Sequence, residues 1–227
     1  MLRADAPWHL GQDQPLHFAI LGPLEVHRGD TRLELGPFKQ RVLLAGLLCR
    51  SNAIMPVEQL LDVIWANKQP RTARKNLQVY VSALRKITGD RIRHVAYGYA
   101  LQVSIDQLDL LRFDYLADTG RKASQAGDLE GSRALLGEAL LLWRDRPLVD
   151  LMANSFIGAE SDTFMERYLA VYEDWADLET ATDSAGSDRG TVIKQFIRWY
   201  LRRPGATLPQ RPTVAFWAAR KGQHQQP

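Results

Sequence analysis

Between residues 18 and 103 the hydrophobic pattern changes period twice, and few folds accommodate that. Phe18 and Ile20, Leu24 and Val26, and Leu33 and Leu35 alternate with other residues, the period of short half-buried strands, and the Arg28-Gly29-Asp30 tripeptide between the last two runs supplies a hairpin turn. After Gly36-Pro37 the period becomes helical: FKQRVLLAGLLCRSN carries Val42, Leu43, Gly46 and Leu47 on one side. A second helix, VEQLLDVIWA, follows Pro56 with Leu60, Leu61, Ile64 and Trp65. A third spans RTARKNLQVYVSALRKITG, and alternation then returns in Ile92–Ala96 and Tyr99–Val103, two β runs separated by a Tyr-Gly pair.

The third helix has two unlike faces. Taking residues 71 to 87 at about 100° per residue with Leu77 as zero, Ala73, Tyr80, Val81, Leu84 and Ile87 fall on its side and are expected to pack inward. Arg71, Arg74, Lys75, Gln78, Val79, Ser82, Arg85 and Lys86 fall on the other. From Arg71 to Arg93 there are seven basic residues and one acid, Asp90, whereas a merely solvated face mixes both signs. Duplex DNA rewards such a surface, because each neutralised phosphate releases counterions. A helix also fits the major groove, where the amides of Asn76 and Gln78 can pair with adenine and the methyls of Val79 can meet a thymine methyl. Strands, three helices and a hairpin bearing Arg91 and Arg93 are the plan of a winged helix-turn-helix with an added N-terminal sheet, an α+β domain over residues 17–104 behind a flexible leader, 1–16.

From residue 105 the texture becomes all-helical and acidic. Residues 1–104 hold 14 Lys/Arg against 8 Asp/Glu, residues 105–190 hold 8 against 18, and residues 191–227 hold 7 against none. LRFDYLADTGRKASQAG and DLEGSRALLGEALLLW read as an antiparallel pair broken at Gly127, with Asp128 as N-cap. A longer helix, roughly 160–181, aligns Phe164, Tyr168, Val171, Trp175 and Leu178. The helical domain is assigned to 105–183. Residues 184–227 form a linker, a basic amphipathic segment (TVIKQFIRWYLRR) and a tail expected to be unstructured.

The residues exclude several classes. There is no HExxH, CxxC, GxGxxG, P-loop or GxSxG motif, and histidines 9, 17, 27, 94 and 224 lack ligand spacing, so no catalytic residue, metal site or cofactor is assigned. No run of eighteen apolar residues exists and no signal peptide fits, so the expected location is cytoplasmic and nucleoid-associated, without membrane contact. The single cysteine, Cys49, lies in VLLAGLLC and is expected to be a buried structural thiol. Trp143 and Trp175 are expected in a helical core rather than lining a ligand pocket.

GPLEV, TARKNLQVYVSALRKITG and the wing VAYGYAL resemble the OmpR/PhoB-type winged-helix domain as it occurs in the Streptomyces antibiotic regulatory protein (SARP) family, and residues from LDLLRFDYLADTG through RDRPLVDL resemble the bacterial transcriptional activation domain that follows it there. The resemblance covers residues 17 to 182. It implies a sequence-specific activator of a secondary-metabolite (antibiotic) gene cluster that binds direct repeats near the promoter −35 region, side by side as a homodimer on DNA, and recruits RNA polymerase holoenzyme. By the same likeness the third helix enters the major groove, the wing around Arg91, Arg93 and Tyr97 to Tyr99 approaches the minor groove, and the loop containing Lys68 and Gln69 faces polymerase. Two departures stand out: Ala83 occupies a position where the family usually has an arginine, and the likeness fades near residue 183. The alternative reading is a non-activating DNA-binding modulator of a fuller paralogue, its shortened helical domain serving protein contacts. A further rival places the basic segment near residues 191–203 on anionic membrane.

Overall fold

A computed structural model describes residues 14–66 and 68–180, and within them the expected winged helix-turn-helix followed by a tetratricopeptide-like helical domain. The first sheet is an antiparallel meander of β1 (Leu16–Ala19), β2 (Glu25–Arg28) and β3 (Thr31–Arg32), turned at Gly29-Asp30 as the RGD tripeptide predicts. Helices α1 (Phe38–Cys49), α2 (Val57–Trp65) and α3 (Ala73–Thr88) follow, and the wing is β5 (Ile92–Val95) paired with β6 (Gly98–Leu101).

One element is not legible in the periodicity. Between α1 and α2, Met55–Pro56 forms a two-residue strand, β4, that pairs antiparallel with β6 and puts β6 at the centre of a three-stranded sheet, β4-β6-β5. Two residues cannot display an alternation. The pairing requires Gly98: a Cβ there would lie 2.1 Å from the Met55 carbonyl oxygen.

The helical domain consists of α4 (Asp109–Gln125), α5 (Leu129–Leu141) and α6 (Ser155–Thr180). Asp128 caps α5 as expected, accepting from the Gly131 amide at 2.9 Å. Helix α6 begins five residues earlier than its apolar stripe suggests, because the Asn154 side chain accepts from the Ile157 amide at 3.1 Å and closes the first turn. Its core is aromatic: Trp143 packs edge-on against Phe113 (5.1 Å) and Tyr168 (4.9 Å) and is only 2% exposed. Trp175 is half-buried at the margin.

The two domains share one continuous core and meet at the turn between β1 and β2. That turn, Ile20–Leu24, has no strand partner for its amides, so they need acceptors. Asp109 supplies them: its carboxylate accepts from the Ile20 and Leu21 amides at 2.9 Å, and Asp150 accepts from Leu24 at 2.9 Å. In return the Arg144 amide donates to the Leu21 carbonyl (2.8 Å) and the Leu148 amide to the Gly22 carbonyl (2.6 Å). The Asn154 side chain donates from Nδ2 to the Val63 carbonyl of α2 at 2.7 Å. Burial pushes the Asp109 carboxyl up to about 6, against the opposing pull of the Ile20 and Leu21 amides and of Arg144. The GPLEV motif is thus the seat of the helical domain as well as part of the sheet.

Candidate DNA-binding surface

Helix α3 buries Ala73, Leu77, Val81, Leu84 and Thr88 against the helices and wing, with Tyr80 and Ile87 half-buried beside them. Tyr80 stacks on Trp65 of α2, ring centroids 6.1 Å apart. The helix stops at Gly89, whose φ of +63° lies in the left-handed region. Arg85 and Lys86 occupy its last turn, where cations favour the helix dipole.

The opposite face is open. Arg71, Arg74, Lys75, Gln78, Ser82, Arg85 and Lys86 are exposed, and so is Val79, 57% exposed although apolar. Arg93 is exposed on β5, and Tyr97 projects at the wing tip with 65% of its surface free. The wing tip turns at Ala96, where φ is +48°. Tyr99 departs from the wing expectation: it is 7% exposed, packed edge-on against His94 at 5.0 Å, because β6 is the central strand of its sheet and all four of its residues are buried.

The basic residues divide by what they already hold. Arg74 is paired with Glu58 of α2, both side chains well exposed. Arg85 donates from Nε to the Ile92 carbonyl at 2.9 Å, and Arg91, half-buried, donates to the Thr88 carbonyl at 3.4 Å, so both clip the end of α3 to the wing. Arg28 of β2 reaches the same end, donating to the Ile87 carbonyl at 3.0 Å. Arg71, Lys75, Lys86 and Arg93 have no ion pair among the described residues. Four cations on one surface without counter-charges leave an electropositive stripe that runs from α3 onto the wing.

The polar base-reading candidates divide too. Asn76 is half-buried and donates to the Thr72 hydroxyl at 3.3 Å, whereas Gln78 is exposed one position before Val79 and four before Ser82. Ala83 is half-buried on the flank of this face. In the loop between α2 and α3, Lys68 is exposed, while Gln69 is exposed but bonded to Asp62 at 2.8 Å. Arg28, Asp109 and Asp150 are the positioning groups that the charge pattern does not single out, since neither residue type nor spacing tells a carboxylate that accepts backbone amides from one that faces water.

Among the described residues no cluster of His, Cys, Asp or Glu could hold a metal ion, and no helix is long and apolar enough to cross a membrane. The basic segment 191–203 lies outside the described residues.

Comparison with known proteins gives concordant matches. Residues 108–199 match the family model of the bacterial transcriptional activator domain. The chain is 32% identical over 173 residues to the regulatory protein DnrI of Streptomyces peucetius, covering 71% of this chain and 63% of that protein. It is 37% identical over 130 residues to the regulatory protein AfsR of Streptomyces coelicolor, covering 56% of this chain and 13% of that protein. The transcriptional regulatory protein MoaR1 of Mycobacterium tuberculosis is 32% identical over 178 residues, of which this chain spans 57%. A solved structure of Mycobacterium tuberculosis EmbR in complex with a low-affinity phosphopeptide superposes with a TM-score of 0.74 at 26% identity, over 93% of this chain and 57% of that one.

Proposed function

Since the chain belongs to the Streptomyces antibiotic regulatory protein family of transcriptional regulators, we propose that it is a sequence-specific activator that binds duplex DNA through α3 and the wing. The observation that carries this reading is the set of cations without an ion pair among the described residues, Arg71, Lys75, Lys86 and Arg93, surrounding the exposed Gln78, Val79 and Ser82. The cations contact phosphates and fix register, and the three central residues face base edges in the major groove. Arg74, Asn76, Arg85 and Arg91 also belong to this surface, the last two by holding helix and wing at a fixed angle while their remaining guanidinium nitrogens stay available for phosphate. Tyr97 at the wing tip approaches the adjacent minor groove.

The regulated genes are those of a secondary-metabolite (antibiotic) cluster, the sites are direct repeats near the −35 region, and two copies bind side by side. Lys68 and Gln69 on the α2–α3 loop face RNA polymerase holoenzyme. No catalysis and no cofactor enter this function, and the protein works in the cytoplasm on the nucleoid. In this reading residues 17–104 bind DNA and 105–183 form the body of the helical activation domain, whose family match runs on to residue 199.

Selection of binding sites from a random duplex library by the full chain tests this reading. Two direct repeats about one helical turn apart are expected. Enrichment of a lone half-site, or of no motif at all, overturns the paired activator.

A further inference from the structure

The outer seam between α5 and α6 is a groove that no other described residue covers. It encloses about 470 Å³ between Ala134, Gly137 and Leu141 on one side and Trp175 on the other, with Glu138 and Glu179 on its rim. Leu141 is 56% exposed, and Leu129, at the start of the same helix, 52%. Gly137 keeps the floor open: a Cβ there would come within 3.4 Å of the Trp175 ring nitrogen. Arg133 donates to Glu179 at 2.9 Å, which sets the end of α6 beside the start of α5, so the two helices run antiparallel and the chain leaves α6 at the mouth of the groove.

We propose that this groove is the docking site of the chain's own segment 191–203, TVIKQFIRWYLRR, which lies outside the described residues. Three observations select this occupant over a second protein. The first is reach: the ten residues 181–190 can span up to about 33 Å, ample to turn the chain back at the mouth of the groove. The thirteen residues 191–203 cover about 20 Å as a helix, enough to follow the seam from Arg133 to Leu141, about 12 Å along α5.

The second is chemistry. At helical spacing, Val192, Ile193, Phe196, Ile197, Trp199, Tyr200 and Leu201 fall on one broad face, and Lys194, Gln195, Arg198 and Arg202 on the other. An apolar face meets Leu141 and Trp175 while cations flank a domain whose residues 105–190 hold 18 acids against 8 bases; residues 191–227 hold 7 bases and no acid. The third is that the match to the activator-domain family runs on through residue 199, well past the end of α6. The segment completes the helical domain by covering its open seam.

Thiol labelling of the full chain tests the proposal, because Cys49 is the sole cysteine and is buried. A maleimide is reacted with Leu141→Cys, with Ile54→Cys as an exposed control far from the groove. Docking predicts that Leu141→Cys labels at least about tenfold more slowly than the control, independently of protein concentration. It further predicts that adding Phe196→Asp and Tyr200→Asp restores fast labelling while leaving the control unchanged. Labelling of Leu141→Cys at the control's rate overturns the proposal. So does protection that strengthens with protein concentration and survives the two tail substitutions, which assigns the groove to a second copy.

Discussion

Arg50, at the C-terminal end of α1, holds Glu160 of α6 with both terminal guanidinium nitrogens, Nη1 donating at 2.6 Å and Nη2 at 2.7 Å. The pair ties a helix of the DNA-binding domain to the long helix of the helical domain, and Glu160 is 8% exposed, so its carboxylate has little access to water. Bidentate geometry of this kind fixes orientation as well as contributing energy. Arg50→Ala is therefore expected to cost about 1–3 kcal/mol in urea unfolding, because it leaves a shielded carboxylate unpaired. Arg50→Ala with Glu160→Gln should recover part of that loss, and a double mutant no better than Arg50→Ala alone would show that the two residues are not coupled.

Cys49 reports on the same junction. Burial, with Glu160 nearby, pushes its thiol up to about 12. At pH 8 only about one part in ten thousand is thiolate, the nucleophilic form. The folded protein should give no fast reaction with a disulfide reagent at pH 8, and full reaction of one thiol after denaturation; rapid stoichiometric reaction in buffer would contradict the burial.

Asp109 makes a pH signature. Its carboxyl is pushed up to about 6 in the folded chain from an ordinary 3.8. Between those values the folded state binds the proton more tightly than the unfolded state, so this group's contribution to stability falls as pH rises through the window and is flat above it. Relative to Asp109→Asn, which is constitutively less stable because its amide nitrogen faces the Ile20 and Leu21 amides, the wild type should lose up to about 3 kcal/mol of its advantage between pH 4 and pH 7. Denaturant unfolding of both proteins across that range checks the sign. An advantage that grows with pH would mean that the amide hydrogen bonds outweigh burial.

Gly98 tests the role of β4. Gly98→Ala drives a methyl into the Met55 carbonyl and should destabilise the chain by about 2–4 kcal/mol, while Tyr97→Ala at the neighbouring exposed position leaves thermal unfolding within about 2 °C of wild type and weakens DNA binding. Equal stability of Gly98→Ala and wild type would mean that the β4–β6 pairing contributes nothing.

Much of this fold is legible in the residues, and the unread parts share a cause. The two faces of α3 follow from period and sign alone: Leu77, Val81 and Leu84 are buried, and Lys75, Gln78, Val79 and Ser82 exposed. What charge does not reveal is commitment. Arg85 and Lys86 are adjacent and alike in sequence, yet Arg85 holds the Ile92 carbonyl and Lys86 has no ion pair among the described residues. Asp109 sits in an acidic helical stretch among carboxylates that stay on the surface, and only the fold shows that three-dimensional neighbours from the β1–β2 turn require its oxygens. Tyr99 lies two residues from the exposed Tyr97, yet the central position of β6 buries it.

The central claim is that α3 presents phosphate-binding cations around a base-reading centre, and salt titration of DNA binding by fluorescence anisotropy tests it most directly. For wild type, Lys75→Ala and Gln78→Ala, the logarithm of affinity is measured against the logarithm of salt on the selected duplex and on duplexes altered one base pair at a time. Lys75→Ala should weaken binding to every duplex alike and lower the salt slope by about 1, whereas Gln78→Ala should keep the slope and lose about 1–3 kcal/mol of discrimination at a single position. A Lys75→Ala protein that keeps the wild-type slope but changes its base preference would contradict the assignment of the two roles.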